Sequence, residues 1–131
     1  MIDVVTLPAG GMKIGAMGGM NNPQSSTILE HALSVVEMAR PLVETIQRKD
    51  RDLASQLRRA ISSVVLNLAE GFGTAQGNSR LRFETARGSL NEAQAGIRVA
   101  VAWGYVSDAS ASPVVESMHC LGGRVYGLVK R

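Results

Sequence analysis

The chain has 131 residues, which suits one domain, and 45% hydrophobic residues with only 4% aromatic, so a core must come from Ala, Val, Leu, Ile and Met. Its net charge is +3. A single cysteine, Cys120, excludes an internal disulfide, and no apolar run approaches the roughly 20 residues of a membrane span.

Charge is unevenly spread. Residues 1–47 hold two cations, Lys13 and Arg40, against four carboxylates. Residues 48–131 hold twelve against seven, so an anionic partner is compatible with the later part of the chain. The opening MIDVVTLPAGG has neither a basic start nor a long apolar stretch and does not read as a secretory signal. Lone-cysteine usage fits a reducing cytoplasm. Residues 8–26, rich in Gly, Met, Asn and Pro, lack periodicity and read as a flexible arm over residues 1–26, ahead of a folded domain at 27–131.

The first helix is expected from Thr27, with Glu30 at capping-box spacing. Ile28, Ala32, Val35, Ala39, Leu42 and Ile46 form its inner stripe, and Leu29, Leu33, Val36 and Val43 a second. Pro41 should bend or split it. The excess apolar width suits either a subunit contact or two neighbours within one bundle.

A second helix is expected from Asp50 as N-cap, with Leu53, Leu57, Ile61, Val64 and Leu68 inward, ending at Gly71. A third is expected from Asn78 or Ser79, with a seam of Leu81, Thr85, Gly88, Glu92, Ala95, Val99 and Ala102, closed by a left-handed Gly104. A fourth should begin at Ser112-Pro113, carrying Val114, Met118, Leu121, Val125 and Leu128 inward. Four helices with short connections and no convincing strand make an all-α, antiparallel up-down four-helix bundle.

The stretch NLAEGFG, Asn67 to Gly73, looks like a phosphate-binding glycine loop. Such loops follow a strand, whereas this one follows a helix, so Gly71 reads as a positive-φ terminator. Glu70 lies at the negative end of the helix dipole and needs a cation, with Arg80, Arg82 and Arg87 as candidates, or a neighbouring subunit. Glu116-x-x-His119 has di-metal bundle spacing, but the second motif and two further inward glutamates are missing, and His31 stands alone. Cys120 and the serines lack a base and an orienting group. No cofactor is expected, and no catalytic residue is assigned.

Arg48, Lys49 and Arg51 at the first turn, with Arg58 and Arg59 on the second helix, and Arg80 and Arg82 at the start of the third, form two basic patches rather than one stripe. They are the candidate contacts to RNA or DNA phosphates. Scarce aromatics favour backbone or shape recognition over base stacking.

SQLRRAISSVVLNLAEGFG (Ser55–Gly73), ARGSLNEAQ (Ala86–Gln94) and WGYV (Trp103–Val106) together resemble the bacterial family of 23S rRNA intervening-sequence proteins over about residues 28–130. That family includes the accessory variability determinants of diversity-generating retroelements. The resemblance implies a non-enzymatic four-helix bundle assembled as a ring-like homopentamer. Its retroelement members bind nucleic acid and their reverse transcriptase, while many other members have no known role, so the resemblance makes RNA or DNA and, where one is encoded nearby, a reverse transcriptase the partners to expect. It marks Asn67, Glu70, Gly71, Gly73, Arg87, Gly88, Ser89 and Glu92 as structural and interface positions. Family members often carry Ile-Pro-Ser before the asparagine, whereas here Val64-Val65-Leu66 stands, without the helix-kinking proline. A protein-interaction scaffold without nucleic acid is the alternative, and a metal-dependent bundle enzyme a remote one.

Overall fold

A computed structural model describes residues 23–74 and 76–130. They form four helices: α1 (Pro23–Lys49), α2 (Arg51–Phe72), α3 (Gln76–Ala102) and α4 (Asp108–Val129). Each packs on the next, and α1 closes against α4, giving an up-down bundle. Among the described residues there is no strand.

The core follows the inner stripes. Ile28, Ala32, Val35, Ala39, Leu42 and Ile46 of α1 are buried, as are Leu57, Ile61, Val64 and Leu68 of α2 and Val114, Met118, Leu121, Val125 and Leu128 of α4. Each large side chain removed from water here contributes about 1.5–3 kcal/mol. The second stripe of α1 has its explanation inside the bundle: Leu29 and Val43 are buried, and Leu33 and Val36 pack at the core's edge. The helix faces two neighbours within the bundle, which accounts for this second stripe.

Several boundaries differ from the expectation. α1 begins at Pro23, four residues before Thr27, because proline's fixed φ suits a first helical turn. The expected arm lies, through residue 22, outside the described residues. Pro41 does not split α1. It is exposed, where water can meet the carbonyl that its ring leaves unbonded. α2 is likewise continuous through Val64-Val65-Leu66.

Asp50 caps α2 as expected, its Oδ1 accepting the Leu53 amide at 3.0 Å. The far end is different. α2 runs to Phe72, and Gly73 caps it at φ −99°, donating its amide to the carbonyls of Ala69 and Glu70. Among the described residues only Gly104 has positive φ, so Gly71 is not a left-handed terminator. Its lack of a side chain serves packing: a Cβ on Gly71 would lie 2.5 Å from Phe83 Cε1. The Phe83 ring also packs against Phe72, centroids 5.0 Å apart.

α3 starts at Gln76, before either expected cap. Ser79 instead reaches back, its hydroxyl donating to the Gly71 carbonyl at 2.7 Å. The largest correction is its seam. The buried line is Phe83, Ala86, Leu90, Ala93, Ile97 and Ala100. The expected line of Leu81, Thr85, Gly88, Glu92, Ala95, Val99 and Ala102 faces outward. Leu81 is 59% exposed and Val99 43%. Both lines have helical spacing and small residues, but only the buried one avoids Glu92 and Thr85, whose polar groups would lack partners inside.

α3 ends as expected at Gly104, φ 82°. The Tyr105 amide donates to the Ala100 carbonyl at 2.8 Å and the Gly104 amide to Val101 at 2.9 Å, the double bond pattern of a Schellman cap. α4 begins five residues before Pro113, capped by Ser107, whose Oγ accepts the Ser110 amide. Asp108 in the first turn suits the helix dipole, so capping overrides the proline signal.

Candidate nucleic-acid interface

Antiparallel packing puts the α1–α2 and α3–α4 turns at one end of the bundle. The Tyr105 hydroxyl ties them, donating to Asp50 Oδ2 at 3.2 Å. Desolvation and then the Asp50 carboxylate raise the Tyr105 pKa further above neutral.

This end gathers five of the seven basic residues singled out in the sequence. Arg48 and Lys49 close α1, Arg51 opens α2, and Arg58 and Arg59 follow within two turns; all five are exposed. Among the described residues none of them has a carboxylate at ion-pair distance. Arg48 donates to Thr45 Oγ1 and Arg59 to Ser55 Oγ, contacts that leave their charges uncompensated. Residues 48–59 carry these five cations against Asp50 and Asp52. Arg58 and Arg59 diverge, since neighbours on a helix point about 100° apart.

Arg80 and Arg82 lie at the opposite end and are engaged. Arg80 pairs with Glu84 at 3.9 Å, and Arg82 with Glu70 at 3.4 Å. The partner Glu70 takes is thus Arg82, across the α2–α3 turn. Both members are about half exposed, which limits the pair to about 0–1 kcal/mol.

Two of the positions marked by the resemblance, Asn67 and Ser89, form a polar clasp between α2 and α3 together with Ser63. Asn67 Nδ2 donates to the Ser63 carbonyl at 2.9 Å and to Ser63 Oγ at 3.0 Å. Ser63 Oγ meets Ser89 Oγ at 2.8 Å across the helices. The close approach continues at Gly96, where an added Cβ would lie 2.7 Å from Leu57 Cδ2. Gly88 and Glu92 belong to the outward line of α3, and Gly88 has open space around it. Arg87 instead reaches α4, its guanidinium 4.7 Å from the Tyr126 ring centroid, with Lys130 5.4 Å from the same ring.

Three features escaped the sequence reading. Trp103 enters the sequence analysis only as the first residue of the WGYV motif, and it is 70% exposed. The Arg87–Tyr126–Lys130 cluster joins residues far apart in the chain. His31, apparently isolated, bridges α1 and α4: Nδ1 lies 3.0 Å from Arg124 Nη1 and Nε2 lies 3.2 Å from Ser117 Oγ. A guanidinium only donates, so Nδ1 accepts and Nε2–H donates to the serine. The neutral ring is required, and burial followed by the Arg124 charge lowers its pKa, with a bond to Ser117 acting the other way.

Among the described residues, no group of three or more His, Cys, Asp or Glu side chains converges in a way that could hold a metal ion. No helix among them is long and apolar enough to cross a membrane.

The sequence matches the family model described as 23S rRNA-intervening sequence protein over residues 24–127. No curated protein and no solved structure matches it. The family model spans all of α2 and α3, and nearly all of α1 and α4, including the α2–α3 clasp and the basic turn. The chain belongs to the 23S rRNA-intervening sequence protein family.

Proposed function

We propose that this protein is a non-catalytic cytoplasmic scaffold that assembles from identical subunits, as a pentameric ring, and binds nucleic acid. The observation that carries the reading is the cluster of Arg48, Lys49, Arg51, Arg58 and Arg59, exposed and without paired carboxylates at one end of a rigid bundle. Exposed, uncompensated cations on a fixed frame attract a phosphate backbone and gain by releasing its counterions. In a ring the same end of every subunit would repeat around an axis, multiplying modest single contacts.

Self-assembly draws on the outward line of α3. Leu81 and Val99 are exposed, and the small residues Gly88 and Ala95 between them would let another backbone approach closely. That same line favours the second reading, a scaffold for other proteins without nucleic acid. A reverse transcriptase encoded beside the gene would be the first protein partner to test.

The test is affinity for structured RNA and duplex DNA, measured with the double variant Arg58→Glu, Arg59→Glu. The reading expects weakened binding with helical content unchanged. Unchanged affinity would remove these arginines from the site, and no binding by the parent protein at low salt would leave the protein scaffold.

A further inference from the structure

We propose that Trp103 is a stacking platform for an unpaired base, so the polymer held at the basic end is single-stranded. The inference rests on the nucleic-acid reading and specifies its ligand class.

Trp103 is the chain's sole tryptophan and the most exposed of its large apolar side chains among the described residues, at 70%. It is set on a fixed frame. The Trp103 amide donates to the Val99 carbonyl at 2.9 Å, and the Schellman bonds of Gly104 and Tyr105 follow directly. The Tyr105–Asp50 hydrogen bond then fastens this turn to the α1–α2 turn, so Trp103 lies at the same end of the bundle as Arg48, Lys49 and Arg51.

Register gives the direction. Ser89 and Gly96 are seven residues apart on one line of α3, and Trp103 follows seven residues further on, just past the helix end. Ser89 meets Ser63 of α2, and Gly96 abuts Leu57. Continuing that antiparallel register places Trp103 level with the start of α2. The carboxylates at this end do not cancel the cations. Asp50, Asp52 and Asp108 stand against the five cations Arg48, Lys49, Arg51, Arg58 and Arg59, which leaves this end with a net positive charge.

An exposed indole at the same end as unpaired cations fits a ligand that is both anionic and planar. Single strands offer base faces along a phosphate chain, whereas a duplex hides the faces within its stack. Pre-set geometry lowers the ordering penalty of binding.

Fluorescence reads this residue alone. The full-length protein is titrated with a 12-nucleotide oligo(U), an oligo(dT) of equal length, and a duplex. Affinities are measured in parallel by anisotropy of labelled strands for the parent, Trp103→Ala and Trp103→Phe. The expected result is quenching by single strands and not by duplex. Trp103→Ala should lose about 5- to 100-fold in single-strand affinity with little change for duplex, and Phe should recover part of it. Single-strand binding without quenching, and unchanged in Trp103→Ala, overturns the stacking role while leaving nucleic-acid binding intact. Binding of duplex alone does the same. Blue-shifted emission shielded from quencher in the ligand-free assembly also overturns it, assigning Trp103 to a contact between copies. Absence of any binding removes the parent reading as well.

Discussion

Replacing Gly71 with alanine tests the packing account of NLAEGFG most sharply, because two effects of known size oppose each other. Alanine gains up to about 1 kcal/mol over glycine within a helix, and less near its end. Against this, the new Cβ would lie 2.5 and 2.8 Å from Phe83 Cε1 and Cδ1. The ring is buried and in contact with Phe72, so it cannot swing away freely. Overpacking of this kind costs about 1–3 kcal/mol. The steric term wins, and Gly71→Ala should be destabilised by about 1–2 kcal/mol, or roughly 3–8 °C in melting temperature for a chain this size. Gly123→Ala is the control. Gly123 is exposed on α4 with nothing within 4 Å of an added Cβ, so it should gain about 0.5–1 kcal/mol. Urea melts of both variants at one protein concentration measure the difference. A Gly71→Ala protein as stable as the parent would refute the close-approach explanation.

Other expectations follow from named contacts. His31 has a lowered folded pKa against an unfolded value near 6.5, so the unfolded chain binds the proton first. Its contribution is therefore complete above about pH 6.5 and is lost as pH falls through the lower folded value, where a protonated Nδ1 would face Arg124. Urea midpoints from pH 8 to 5 should fall less in His31→Gln than in the parent, and equal slopes would dismiss the bridge. Glu70→Ala should lower stability by about 1 kcal/mol or less, since its pair with Arg82 is exposed; a loss of several kcal/mol would mean a buried role in the assembly. Leu81→Glu with Val99→Glu should reduce the mass in solution while leaving helical content intact. An undiminished mass would move the subunit contact off the outward line of α3.

Much of the bundle was legible because its signals are local. Steps of three and four on α1, α2 and α4 identify the buried stripes, Asp50 and Gly104 mark real ends, and the family motifs agree with that architecture. α3 was misread because it offers two lines of small residues, and composition alone does not say which faces the neighbours. The aromatic that decides the matter, Phe83, is buried only because Gly71 on another helix makes room for it. The start of α4 was missed because Pro113 outweighed the weaker serine signals, although Ser107 and Ser110 satisfy the first turn between them. Of the candidate site, the basic turn was visible as a cluster in sequence. That Arg82 is paired while Arg48, Lys49, Arg51, Arg58 and Arg59 have no carboxylate at ion-pair distance depends on which helices meet. The exposure of Trp103 and the His31 bridge are likewise tertiary facts, carried by residues 86 and 93 positions apart in the second case.

A salt titration of RNA and DNA binding, on protein whose mass in solution is determined in the same buffer, tests the central claim most directly. A multimer whose log affinity falls with log salt at a slope of about −2.7 or steeper on duplex, or about −2.1 or steeper on single strands, would show three or more phosphate contacts and support a nucleic-acid scaffold. A well-formed multimer that binds neither polymer at low salt would contradict it.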